Sequence, residues 1–203
     1  SYGDHSDAEL LRTYGFVDDA TRNPHNCVLA MQEEVLESCQ QAMSAAPPRE
    51  RLNLLQSRGL LKPAYVIPSS GQLPVALLSV VQGLLMSQAE FDEFAASDLP
   101  HLGRKFHGRA SAHGRLVTVC LLGLLRSVNS RLAKHKPEGS KAALANAVKS
   151  GEMAAIRAAQ GFIVSQLAPP DGATRGKKRA APGKSPKAAA SASSSAPAGS
   201  AKS

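Results

Sequence analysis

The run "LPVALLSVVQGLLM", residues 73–86, decides what kind of fold this chain can adopt. Wound as a helix, its fourteen residues are apolar almost all round. Pro74 suits the first helical position, where its missing N–H costs nothing. A membrane-spanning helix needs about 20 apolar residues, and no apolar run here reaches that length, so no membrane partner is expected. A helix apolar on every side is stable only where other elements enclose it. The reading is therefore a mainly α fold with this segment at the centre of its core.

The flanks agree with that reading. C-terminal to the run, Ser87-Gln88-Ala89-Glu90 is a capping box that starts a short helix ending near Ala96. A loop rich in Gly, His and Arg follows. The longest helix is then expected over about 110–135, with Leu116, Val119, Cys120, Leu124 and Val128 along its buried side. Residues 140–168 supply one or two more helices. N-terminal to the run, "AYVIP" (64–68) is extended. Leu52 and Leu55 mark a helix ending at Gly59. Val35, Leu36, Cys39 and Met43 mark another, closed by Pro47-Pro48, and "CVLAM" (27–31) reads as a strand after the turn Asn23-Pro24-His25-Asn26.

Residues 1–22 read as turn, helix and turn. Asp7 is expected to cap the helix, its carboxylate accepting from first-turn N–H groups. Leu10, Leu11 and Tyr14 fall on one face, and Gly15 provides the left-handed stop. A helix this short is not stable alone, so a partner surface must exist.

Charge and cysteine content bound the function. Of the net +8, the segment from Asp171 onward carries seven basic residues against one acid, a balance of +6, which leaves +2 for residues 1–170. The basicity is a property of the tail and does not argue for a nucleic-acid-binding core. Residues 169–203, rich in Ala, Ser, Pro, Gly and Lys, cannot bury enough apolar area to offset chain entropy and are expected to be disordered. Within them, "RGKKRAAPGKSPKAAA" (175–190) resembles a nuclear-localisation cluster and a linker-histone tail, and allows weak, salt-sensitive phosphate contacts with nucleic acid. Cys27, Cys39 and Cys120 form no CxxC and no even disulfide set. They read as small buried residues of a reducing, intracellular compartment, whether nucleus, cytoplasm or chloroplast.

The most specific pattern is at the start of the chain: Tyr2-Gly3-x-x-x-Asp7-x-Glu9-Leu10-Leu11-x-x-Tyr14-Gly15-Phe16. This spacing resembles the end of the catalytic SET domain in the Rubisco large-subunit methyltransferase family, which pairs a split SET domain with a helical substrate-binding domain. "NPHNCV" after the motif and "LANAVKSGEMAAI" (144–156), similar to the family's late helix, extend the likeness loosely to about residue 168. Two departures are visible. Asp7 stands where the family usually has Asn, and "KHKPEG" (134–139) replaces a longer Tyr- or Thr-rich turn.

The resemblance implies a fold and a chemistry. Residues 1–22 would be the last turn and helix of a SET domain, residues 23–168 a helical substrate-binding domain, and residues 169–203 the basic tail. The activity implied is S-adenosylmethionine-dependent methylation of a lysine on a protein substrate, with most cofactor-binding residues upstream, so that this chain alone is expected to be inactive. Transfer of a methyl group from a sulfonium to an amine needs a neutral nitrogen held in line in a dry channel. Tyrosine suits that task, with a flat apolar wall and one hydroxyl to orient the nitrogen. The resemblance gives Tyr2 the catalytic role and gives Tyr14 and Phe16 the placement of substrate and cofactor. Gly3, Asp7, Glu9 and Gly15 shape the motif. Family members act on Rubisco, ribosomal proteins, histones, cytochrome c and an actin histidine, and fold alone does not choose among them.

Other constellations are weaker. His101, His107 and His113 recur every six residues, which converges no side chains on a metal, and His25, Cys27 and Cys39 lack a fourth ligand. No metal site is expected. Arg104, Lys105, Arg109 and Arg115 form a local basic patch. Two rival functions stay open: a non-catalytic helical protein-interaction module retaining only the SET end, and a nucleic-acid-associated protein acting through its tail.

Overall fold

The computed structural model describes residues 4–17, 23–103 and 111–167. Tyr2, Gly3, Arg104, Lys105, His107, Arg109 and the basic tail lie outside these residues. Among the described residues the fold is mainly helical, with seven helices and two strands in the order α1 (Asp7–Tyr14), β1 (Cys27–Met31), α2 (Gln32–Met43), α3 (Arg49–Ser57), β2 (Ala64–Pro68), α4 (Val75–Leu85), α5 (Gln88–Ala96), α6 (Ala112–Lys134) and α7 (Ala142–Ser165).

The apolar run forms α4, and every residue from Leu77 to Leu85 is buried. Pro74 sits one place earlier than expected, at the N-cap, where its carbonyl accepts from the Leu78 N–H at 3.0 Å. Burying a leucine or valine is worth about 1.5–3 kcal/mol before entropy, so α4 alone anchors much of the core. Around it, α6 packs against α2, α4, α7 and β1. By length and composition α6 would suffice to cross a membrane; here its apolar stripe is spent on the core.

That stripe differs from the one expected. Val117, Cys120, Leu121, Leu124, Leu125, Val128 and Leu132 are buried, whereas Leu116 is half-buried and Val119 is 61% exposed. The segment is apolar on several sides, so its phase is set by the neighbours α6 meets. Residues 142–165 form one continuous helix, which at 24 residues exceeds the 23 of α6.

β1 and β2 pair antiparallel with Leu29 opposite Val66 and Ala30 opposite Tyr65. The alternation puts Val28, Ala30, Tyr65 and Ile67 inward and leaves Leu29, Met31 and Val66 exposed. The turn after β2 presses on α7. Gly71 has φ +73°, and a Cβ there would lie 2.2 Å from the backbone carbon of Ala158. Only glycine permits that approach.

Two arginines fasten the helix ends. Arg51, on α3, is buried and donates to the carbonyls of Gly83, Leu84 and Met86 at 3.2, 3.1 and 2.6 Å, so a cation closes the C-terminus of α4. Arg58 does the same for α5, donating to the carbonyls of Phe94, Ala95, Ser97 and Leu99. Each guanidinium also lies over a ring, Arg51 at 4.8 Å from Phe91 and Arg58 at 4.1 Å from Phe94.

Candidate functional site

The motif helix α1 is capped differently from the sequence reading. Ser6, not Asp7, is the N-cap: its hydroxyl accepts from the Glu9 N–H at 3.3 Å, and the Glu9 carboxylate accepts from the Ser6 N–H at 3.0 Å. This capping box holds the Glu9 carboxyl below its ordinary range, chiefly through the Ser6 backbone bond. Asp7, displaced into the first turn, is fully buried. Its two carboxylate oxygens accept from Asn23 Nδ2 at 2.9 Å and Asn26 Nδ2 at 2.7 Å, and its own N–H donates to Asn26 Oδ1 at 2.9 Å. Asp7 thus clamps α1 to the turn that leads into β1. The turn itself was legible; the role of Asn23 and Asn26 as the clamp was not.

Gly15 ends α1 as expected. With φ +79° it donates its N–H to the carbonyls of Leu10 and Leu11 at 3.2 and 3.1 Å. Tyr14 departs from expectation. Leu10 is buried, whereas Tyr14 is 51% exposed and turns its ring toward Phe16, with centroids 6.1 Å apart. Tyr14 lies one helical turn beyond Leu10 and near the same face, but as the last residue of α1 it is not covered by the surface that buries Leu10. The two aromatic rings form a half-exposed wall beside the end of α1.

Next to that helix a cleft of about 510 Å³ opens between α1, the end of α6 and α7. Ala8, Leu11 and Arg12 of α1 line one side; Ala145, Val148, Lys149 and Glu152 of α7 line the other. Leu132 and His135 close the end, and Pro137, Glu138 and Lys141 form the rim. These come from segments far apart in sequence, joined because α1 packs on α7 and α7 on α6.

The charges have distinct tasks. Lys149 Nζ donates to the carbonyls of His135 and Ala133 at 3.0 and 3.4 Å, closing the end of α6. The Lys141 ammonium lies beside Gly15, at the negative end of the α1 dipole. Glu152 is half-buried; burial pushes its carboxyl above the ordinary value of 4.5, and the charges of Arg131 and His135 offset part of this. The cleft therefore has an apolar floor, a rim of mixed charge and, in Glu152, a carboxylate that burial makes reluctant to ionise. Among the described residues its lining includes no Tyr or Phe. Those side chains offer no aromatic stacking plane for an adenine ring.

The remaining sequence candidates are dispersed. Cys39 lies against Cys120, with sulfurs 3.5 Å apart, and is not gathered with His25 and Cys27. Cys27 is half-buried, and burial raises its thiol. His101 and Arg115 are exposed. Among the described residues no three His, Cys, Asp or Glu side chains come together as a metal-binding group. No protein-family model and no curated protein matches this chain.

Proposed function

We propose that this chain is the C-terminal portion of a SET-type, S-adenosylmethionine-dependent protein lysine methyltransferase, joining the end of the catalytic domain to a helical substrate-recognition domain of the Rubisco large-subunit methyltransferase type. One observation carries the reading. The two stretches that resemble that family, the motif around α1 and residues 144–156, line opposite sides of a single cleft. In this reading Tyr2 orients the target amine through its hydroxyl, while Tyr14 and Phe16 provide an aromatic wall. The Ser6–Glu9 box, the Asp7 clamp and the Gly15 stop hold that wall at a fixed place beside the recognition domain. The residues that hold the cofactor belong to the part of the catalytic domain preceding the motif, and the cleft takes the protein substrate.

The reading is tested on the gene product that carries this chain, by measuring turnover, substrate-peptide affinity and melting temperature for Tyr2→Phe and Tyr14→Phe. Losing a hydrogen bond made mainly in the transition state costs on the order of tenfold to a thousandfold in rate. Tyr2→Phe is expected to lose turnover on that scale with affinity and melting temperature unchanged, and Tyr14→Phe to lose less. Full turnover by Tyr2→Phe, or loss only through unfolding, would make Tyr2 structural.

A second reading has its own observation. The outer face of the strand pair exposes Leu29, Met31 and Val66 together, which suits a helical module that docks on another protein without catalysis. An intact Asn-His motif and Gly-rich segment ahead of the SET end would decide for the enzyme, and their loss for the module.

A further inference from the structure

Cys39 on α2 and Cys120 on α6 meet where the two helices pack, with Sγ atoms 3.5 Å apart and both side chains within 1% of full burial. Among the described residues the hydrogen bond of each sulfur is to the other, the Tyr65 phenol is near enough to Cys39 to interact with it electrostatically, and Cys27 belongs to the start of β1. Two thiols already in van der Waals contact need to close by roughly 1.5 Å to reach the S–S bond length of about 2.05 Å. Side-chain rotation and a small shift of two packed helices supply a movement of that size. The partners lie 81 residues apart in sequence, so their encounter is a property of the folded state alone.

From this geometry we propose that Cys39 and Cys120 form a disulfide-forming modification site, oxidised by a hydroperoxide and cross-linking α2 to α6. One sulfur attacks the peroxide, breaking the O–O bond to give a sulfenic acid and one water. The second sulfur then attacks the sulfenic sulfur; the S–S bond forms, the S–O bond breaks, and the departing hydroxide takes the second thiol proton as water. Two thiols are oxidised, and one hydrogen peroxide is reduced to two waters.

Burial sets the kinetics. A buried thiol in an S–H···S contact is a poor source of thiolate, and both effects raise the Cys39 thiol well above its ordinary range. The first step therefore waits for a transient opening that admits peroxide. The second step is fast, since the partner sulfur sits in contact when the interface recloses. The site is slow to start and selective in outcome, which distinguishes it from a surface thiol that oxidises at once and onward to sulfinic acid.

The test treats the full chain with excess hydrogen peroxide, blocks remaining thiols with iodoacetamide, and reads the digest by mass spectrometry. The expected result is a peptide pair joined through Cys39 and Cys120, two hydrogens lighter than the separate peptides, with Cys27 outside the linkage. Its rate should rise in urea too dilute to change the far-UV circular dichroism, because the step is gated by opening. In Cys120→Ala the sulfenic acid at Cys39 loses its resolving partner and should be trapped by dimedone. The oxidised chain should unfold at higher urea than the reduced one, since the link closes a long loop in the unfolded state. Separate over-oxidation of Cys39 and Cys120, cross-links through Cys27 only, or no mass change would each overturn the proposal. So would unfolding of the oxidised chain at the same or lower urea, which would mean the bond forms only by forcing the helices apart.

Discussion

Replacing Asp7 tests the clamp that fixes the motif helix. Its buried carboxylate accepts from two asparagine amides at 2.7 and 2.9 Å. Hydrogen bonds to a charged group are worth about 1.5–3 kcal/mol each, and a carboxylate in the first helical turn adds about 0.3–1 kcal/mol. These terms overlap, and with both amide bonds to the buried carboxylate removed in Asp7→Ala a loss of about 3–4 kcal/mol is expected. Asp7→Asn has the same shape and presents one acceptor and one donor to two donors. Asn23 cannot flip to receive that donor without losing its bond from the His25 N–H, nor Asn26 without losing its bond from the Asp7 N–H. One bond is lost either way, at about 1–2 kcal/mol. The Leu10 and Gly15 amides bond within α1 and so report its opening, which makes their native-state hydrogen exchange the appropriate assay. At 1.4 kcal/mol per tenfold, protection should fall on the order of a hundredfold or more in Asp7→Ala and about tenfold in Asp7→Asn. A change below about threefold in Asp7→Ala, a discrepancy of more than 2 kcal/mol by the same conversion, would refute the clamp.

Three further outcomes are expected. Gly71→Ala combines a left-handed φ with a Cβ driven into the α7 backbone, and should lower the urea-unfolding free energy by about 3 kcal/mol or more; a loss under about 1 kcal/mol would show that α7 yields easily. Arg51→Met keeps the stem against Phe91 but uncaps α4, leaving three carbonyls to lose a cationic donor, and should cost about 2–4 kcal/mol in the same assay. Glu152→Gln should stabilise the chain at neutral pH. With its folded pKa raised, Glu152 binds more protons folded than unfolded, so stability falls as pH climbs from 4.5 through the raised value. The advantage of the glutamine variant should therefore vanish below pH 4.5, and a gain that persists at lower pH would contradict burial as the cause.

Much of the architecture was legible because local signals agreed with the packing. The β-branched and apolar alternation of "AYVIP" and "CVLAM" placed both strands, and the Ser87–Glu90 box and Gly15 stop sit where the residues indicated. Errors arose where local chemistry was degenerate. Ser6 and Asp7 are both good N-caps, and the tie was broken by Asn23 and Asn26, which lie sixteen and nineteen residues from Asp7. Helix α6 has apolar side chains on more than one side, so Val119 and Leu121 were interchangeable until α2 and α4 chose a face. The cleft had no local signal at all. Leu11, His135 and Glu152 are ordinary residues of three separate segments, and only the packing of α1 and α6 on α7 makes them one surface.

Methyl transfer to lysine separates the enzyme from a docking module. The gene product carrying this chain is incubated with S-adenosylmethionine labelled in its methyl group and a protein extract, and the labelled protein is hydrolysed to amino acids. Label is expected in N-methylated lysine, dependent on the enzyme and abolished or strongly reduced in Tyr2→Phe. A folded protein that transfers no label, or one whose Tyr2→Phe variant labels lysine as fast as the wild type, would contradict the methyltransferase reading.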